Sequence, residues 1–463
     1  MAKYNNSNFK KTKNKTKNKF IDFNNFKMIT NIKEHKKYNN TYIVEINKIY
    51  ETTINLDYNT YLENNCLFLN DDLLNNLPEN RIESLKVGVL NLLSYNISNN
   101  LINKNTNRKT IYISENSNIP LIGHTAFGLI DRGTNIIQVR GLSGCNISCP
   151  FCSVDEGKVS KTRKNDFYVD YEYLVNEYRK IVEFKGNKHI EAHLDGQGEP
   201  SLYYPLPDLI NNLNEINEIG NGLISIQTNG VNLSYKLIDE LEECKLHRIN
   251  LSINAIDSLK SKILAGSKDY NINKIIEMAE YIKNSKIHLL ITSLLLPNYN
   301  NEDFKEVIDF GVNLQQKNPQ NIINPITKRQ NPILGVQLCL SYKFGRKFKK
   351  MKLMKFNEFY KLLRSYEEHY KKEKNINVQL DLSKFELFGT HKRKKLPYPF
   401  KLNEVVKTKI ILDGRVNGEL IGVAKNRVVQ IIDFNKDINK LIGKTVNVKI
   451  NRVNDNIIVG YKV

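Results

Sequence analysis

From Ile136 onward the sequence settles into a repeat that allows few folds. Short apolar runs alternate with longer amphipathic segments: "IIQVR" then "YEYLVNEYRKIVEF", "HIEAHL" then "LPDLINNLNEI", "LISIQT" then "SYKLIDELEE". "RINLSIN", "IHLLITSLLL" and "ILGVQLCL" follow, each with helix-like sequence behind it. Six such β–α repeats imply parallel strands joined by right-handed crossovers, hence an α/β barrel or an open doubly wound sheet. The polar and glycine-bearing stretches "GLSGCN", "DGQGEP", "TNG" and "NAIDS" come just after strands. Active sites form at the carboxyl ends of parallel strands, so these loops are expected to converge on one face.

The flanks differ in character. Residues 1–40 are low-complexity and lysine-rich, with little to bury, and are expected to be a disordered basic tail. Residues 41–120 read as a small α+β region: "TYIVEINKIYETTINL" alternates as a strand does, and "RIESLKVGVLNLLSYNI" carries apolar residues at helical spacing. The repeat belongs to a core over residues 121–388. Residues 389–401, containing "GTHKRKKLPYPF", read as a basic linker. Residues 402–463 turn to short alternating strands, predicting a small OB-like all-β barrel of the kind that often binds oligonucleotides. No stretch approaches the ~20 apolar residues that span a bilayer, and the lysine-rich start has no apolar segment behind it. A cytoplasmic protein without membrane insertion is expected.

Half of the six cysteines fall within eight residues, at Cys145, Cys149 and Cys152, in the loop after "IIQVR". In a reducing compartment such a cluster points to a metal or redox site rather than a disulfide framework. Three thiolates can hold three irons of a cubane and leave the fourth open to an external ligand, because four-iron clusters generally take four cysteines. Structural zinc is the competing reading, but it wants a fourth Cys or His nearby, and His189 and His193 are some forty residues on. Cys244 and Cys339 read as small core residues, and Cys66 stands alone.

The C-x3-C-x2-C spacing, with the aromatic Phe151 before the third cysteine, resembles the signature of the radical S-adenosylmethionine (SAM) superfamily. The resemblance runs over roughly residues 120–345. "DGQGEP" is similar to the family's Gly-Gly-Glu-Pro element, "IQTNG" to the end of its third strand, and "RINLSINAID" and "LLITSLLLPNYNNED" to its fourth and fifth strands. It implies a partial (β/α)6 TIM-like barrel and a [4Fe–4S] cluster on Cys145, Cys149 and Cys152. It also implies a SAM site drawing on Phe151, Gly198, Glu199, Ser252 and Asn254. The family's activity is reductive cleavage of SAM to a 5′-deoxyadenosyl radical, fed by a donor such as a ferredoxin or flavodoxin. On local sequence alone "TNG" is an ordinary turn, so Thr228 and Asn229 receive no ligand role.

Residues 402–463 resemble a TRAM domain in the order of strands and glycines. "GHTAFGLIDRGTNIIQVRGLSGCN" is similar to an archaeal group that joins radical-SAM and TRAM domains. That likeness implies an RNA partner, most plausibly tRNA. Lys425, Arg427, Lys444, Lys449 and Arg452, with the runs "GRKFKKMKLMKF" and "HKRKK", offer a basic track for phosphates. The net charge of +20 adds little, since residues 1–40 alone hold eleven lysines against Asp22 and Glu34. Residues 1–135 contain only Cys66, so the second cluster of the methylthiotransferases is missing from the sequence pattern. Two alternatives stay open: radical chemistry on a peptide, lipid or small metabolite, with the TRAM-like domain as an accessory, and a non-catalytic iron–sulfur RNA-binding protein.

Overall fold

The computed structural model describes residues 20–70, 73, 76–381, 388–432 and 438–463. The chain divides into two compact units, the second beginning at Leu101. In the first, strands Ile29–Glu34, Thr41–Ile46 and Tyr50–Asn55 form an antiparallel meander, and helix Glu79–Asn99 follows. Asn47 and Lys48 both have positive φ in the three-residue turn that joins Ile46 to Tyr50. The second half of the expected disordered tail is instead folded: Phe20, Ile21, Phe23, Ile29 and Ile32 are buried, while residues 1–19 lie outside the described residues. Asparagine and lysine dilute these apolar positions enough to hide them from a composition reading.

The second unit contains two barrels. The first barrel has β1 (Gly128–Asp131), β2 (Ile136–Arg140), β3 (Glu191–Leu194), β4 (Leu223–Thr228), β5 (Arg248–Ser252) and β6 (His288–Thr292). They form one sheet in the order β6-β5-β4-β3-β2-β1, with β2 to β6 parallel and β1 antiparallel at the edge. The sixth repeat runs beside β6: Ile291 bonds Ile333 and Gly335, and Leu294–Leu295 pairs in parallel with Gln337–Leu338. The crossovers carry α1 (Tyr171–Lys185), α2 (Leu206–Glu218), α3 (Tyr235–Glu243), α4 (Ser258–Ala265), α5 (Ile272–Asn284) and α6 (Asn301–Lys317). Asp170, Ser234, Asp257 and Asn271 cap α1, α3, α4 and α5 through their side chains.

Side chains on these strands divide strictly by parity. Ile137, Val139, Ala192, Leu194, Ile224, Ile226, Ile249, Leu251, Leu289 and Ile291 are each at most 2% exposed and form the apolar layer. The other parity is almost wholly polar, with Gln138, Arg140, His193, Ser225, Gln227, Arg248, Ser252 and Thr292 bonded to groups on other strands, and Asn250 bonded to Arg248 along its own strand.

Helix α7 (Phe356–Lys374) follows the sixth repeat, and the second barrel then closes from five strands. These are β7 (Val405–Asp413), β8 (Glu419–Ala424), β9 (Arg427–Ile432), β10 (Thr445–Arg452) and β11 (Val459–Lys462), in the order β7-β8-β9-β11-β10. Ile410, Leu420, Val429, Val448, Ile450 and Ile458 fill it. Residues 389–401 are no free linker. His391 bonds Asn135, Leu396 N–H donates to Asp131, and the buried Lys185–Asp131 pair also reaches Lys394 O. Both barrels therefore belong to one compact unit.

Candidate active site

The cysteine loop leaves β2 and is zipped to the loop after β3. Ser143 pairs with Gln197 and Gly144 with Gly198 in a short parallel ladder, extended by Glu199 N–H to Gly144 O at 2.9 Å. Gly144 sits at φ +99°, a region that favours glycine. A Cβ on Gly198 would lie 2.2 Å from Gly144 O, so this glycine serves the approach of two backbones.

Cys145, Cys149, Cys152, Phe151, Gly198, Ser252 and Asn254 all line one cavity of about 380 Å³ at the carboxyl ends of the strands. Glu199 does not. Its buried carboxylate accepts from Ser201 N (3.0 Å), Thr228 Oγ1 (2.6 Å) and Asn229 N (2.8 Å), behind the wall rather than on it. Burial raises its pKa against the pull of those donors. It thereby fixes the turn after β4, to which local sequence assigns no role. Asn229 lines the cavity, with Nδ2 2.8 Å from Asn146 Oδ1 and 3.7 Å from Cys145 Sγ.

On the far wall Gln227 Nε2 donates to Ser252 Oγ at 2.9 Å and Thr292 Oγ1 at 3.1 Å, joining β4, β5 and β6. Asn254 Oδ1 accepts from Leu294 N at 2.9 Å. Phe151 packs with Ala255, Leu264, Leu296 and Cys339 into an apolar floor, so Cys339 is both core and lining.

Charge is arranged around the loop, with Glu156 also lining the cavity. Arg346, from the run read as a phosphate track, instead grips the loop: Nε to Asp155 at 2.8 Å, Nη1 to Cys149 O at 2.7 Å, and Nη2 to Glu156 O. Glu156 is buried among Arg108 (2.9 Å), Arg163 (3.5 Å) and Arg415. Arg415 comes from the turn between β7 and β8 and also reaches Gln197 O at 3.0 Å; burial lowers its pKa to about 9. Burial also pushes the Cys149 thiol up to about 12, so ligation as thiolate needs the charge of bound metal.

The residues present fit an iron–sulfur cluster. Among the described residues no three His, Cys, Asp or Glu side chains converge on a single ion, as mononuclear zinc requires. The three thiols instead ring one cavity, and Asn229 Nδ2 and Glu156 N (3.4 Å from Cys152 Sγ) offer hydrogen bonds to sulfur.

Comparison with known proteins agrees. The Radical SAM superfamily profile matches residues 139–311. An uncharacterized protein of Methanocaldococcus jannaschii is 62% identical over 439 residues, covering 95% of this chain and 98% of the relative. A probable GTP 3′,8-cyclase of Archaeoglobus fulgidus is 30% identical over 193 residues, 41% of this chain and 59% of the cyclase. A SAM-bound structure of Streptococcus suis SuiB shares 15% identity, with TM-score 0.39, over 68% of this chain and 60% of that one, too loose a likeness to bear on function. Residues 139–311 form a radical SAM domain, and the chain is an enzyme of that class, whose cofactors are a [4Fe–4S] cluster and SAM. The non-catalytic reading is thereby set aside.

Proposed function

We propose that this radical SAM enzyme modifies tRNA, with the C-terminal barrel acting as a TRAM domain. When bound, the cluster and SAM supply reductive carbon–sulfur cleavage that delivers a 5′-deoxyadenosyl radical. The chain's own residues hold and orient that chemistry. Cys145, Cys149 and Cys152 would carry the cluster, and Gly198, Ser252, Asn254 and Asn229 offer backbone and side-chain polar groups along the cavity wall. Glu199 braces the wall from behind. Phe151 and its neighbours exclude water from the floor.

The observation that carries the RNA reading is the segment after the sixth strand. Tyr342 lines the cavity and is itself 50% exposed. Beyond it Phe344 and Phe356 are exposed, interleaved with exposed Lys343, Lys347, Lys349, Lys350, Lys352 and Lys355. Arg346, Phe348 and Met351 turn inward to anchor the segment. Aromatic faces for bases and lysines for phosphates are what a single strand needs. On the C-terminal barrel Lys444 and Arg452 are exposed, whereas Lys425 is committed to Glu404 at 2.6 Å and Arg427 is half-buried. Within "HKRKK", His391 and Arg393 bond the first barrel and Lys395 pairs with Asp455 of the second, while Lys392, Lys394 and Lys395 keep exposed surface.

Two measurements test the proposal. Anaerobic protein with SAM and dithionite should release 5′-deoxyadenosine. Nucleoside mass spectrometry of tRNA from cells with and without the protein should show one modified nucleoside lost; an unchanged profile overturns the RNA substrate.

A further inference from the structure

The polar parity of the first barrel encloses a second cavity, of about 500 Å³, that shares Gln227, Thr292 and Gln337 with the first. Packed barrels fill this space with branched apolar side chains. Here the charges are paired: Arg248 with Glu191, and Arg140 with Asp195 at 2.9 Å. Burial holds His193 below its ordinary pKa and so neutral, despite Asp195 and Glu191 nearby. Among the described residues no cation is left free on this wall for a phosphate or carboxylate. Three polar groups there do lack protein partners among the described residues: Asn250 Nδ2, Gln227 Oε1 and His193 Nε2. They come from adjacent strands and belong to residues that line the space. Phe356, Tyr360 and Phe388 line the same space, the first two stacked on each other at 22°.

A donor, an acceptor and an imidazole facing aromatic walls, with formal charge cancelled, suit a flat, uncharged heterocycle. We infer that the barrel lumen is a nucleobase chamber, in which Asn250, Gln227 and His193 read the base edge and Phe356 and Tyr360 flank its face. This deepens the RNA reading and rests on it: a base unstacked from the strand bound along residues 342–356 enters the lumen beside the SAM cavity. Within the lumen wall itself both arginines are already paired, so the wall holds a base rather than a phosphate.

Calorimetric titration of the anaerobically reconstituted full chain tests it, using the four ribonucleosides, GTP, a single-stranded oligoribonucleotide and its abasic counterpart. One nucleoside should bind, its triphosphate no tighter, and the intact oligonucleotide better than the abasic one. Asn250→Leu and Phe356→Ala should each weaken the nucleoside about tenfold. Phe356 is 51% exposed, so its removal spares folding. Absence of nucleoside binding, or GTP binding far tighter than guanosine, overturns the chamber. Oligonucleotide binding indifferent to both variants and to the abasic site overturns the chamber while leaving the RNA reading. Nucleoside binding without oligonucleotide binding sustains the chamber and removes the RNA substrate.

Discussion

Gly198 shows how little at residue scale separates a working loop from a displaced one. Its missing Cβ would sit against the carbonyl and amide of Gly144, neither of which can move without carrying Cys145 along. Gly198→Ala should therefore destabilise the protein by about 1–3 kcal/mol and lower iron and sulfide content, although all three cysteines remain. Thermal unfolding and metal analysis report the two effects. Arg346→Gln should leave folding intact but raise the solvent reactivity of the cysteine loop, read by alkylation of the metal-free protein, because Asp155 and two loop carbonyls lose their donor. The cysteines were legible because their spacing is local. Glu199 was expected to contact SAM, whereas its carboxylate is taken up by Thr228 and Asn229 at the end of β4, because one strand's sequence does not say which residue of another it meets.

At the scale of elements, the turn between β7 and β8 matters most. It carries Arg415 into the first barrel, where Glu156 and Gln197 O are waiting, while Glu419 holds Arg415 N–H and bonds His124. Removing one partner from a buried ion network strands the others, so Arg415→Met should cost about 3 kcal/mol of stability, measurable by denaturant unfolding. Deletion of residues 402–463 should yield protein poor in cluster, as shown by iron analysis, since the cysteine loop loses this prop. Loss of RNA binding on that deletion would then be uninformative, and surface lysine variants are the cleaner probe. The second barrel reads from sequence as an appendage because alternating strands and a basic, proline-bearing approach look like a linker and module. Its docking depends on long-range pairs such as Glu156 with Arg415 and Arg132 with Asp455, which no local pattern records.

For the whole molecule, formal charge misleads until it is divided by what is already paired. Arg108, Arg140, Arg163, Arg248, Arg346 and Arg415 all face carboxylates in the interior. The lysines left exposed between residues 343 and 355 should dominate any RNA binding. Replacing Lys347, Lys349 and Lys350 with alanine should reduce the salt dependence of single-strand binding by about 0.7 in log–log slope for each phosphate no longer neutralised. Titrations at several salt concentrations measure this, with melting temperature unchanged. The sequence by itself determined the repeat of strands and helices, the loop faces and the three thiols, because each depends on neighbours within a turn or two. Only the tertiary structure decided which basic residues are free and which arginines clamp the cysteine loop. It alone showed that the polar parity of five strands closes on a shared space, since burial and pairing belong to residues hundreds of positions apart.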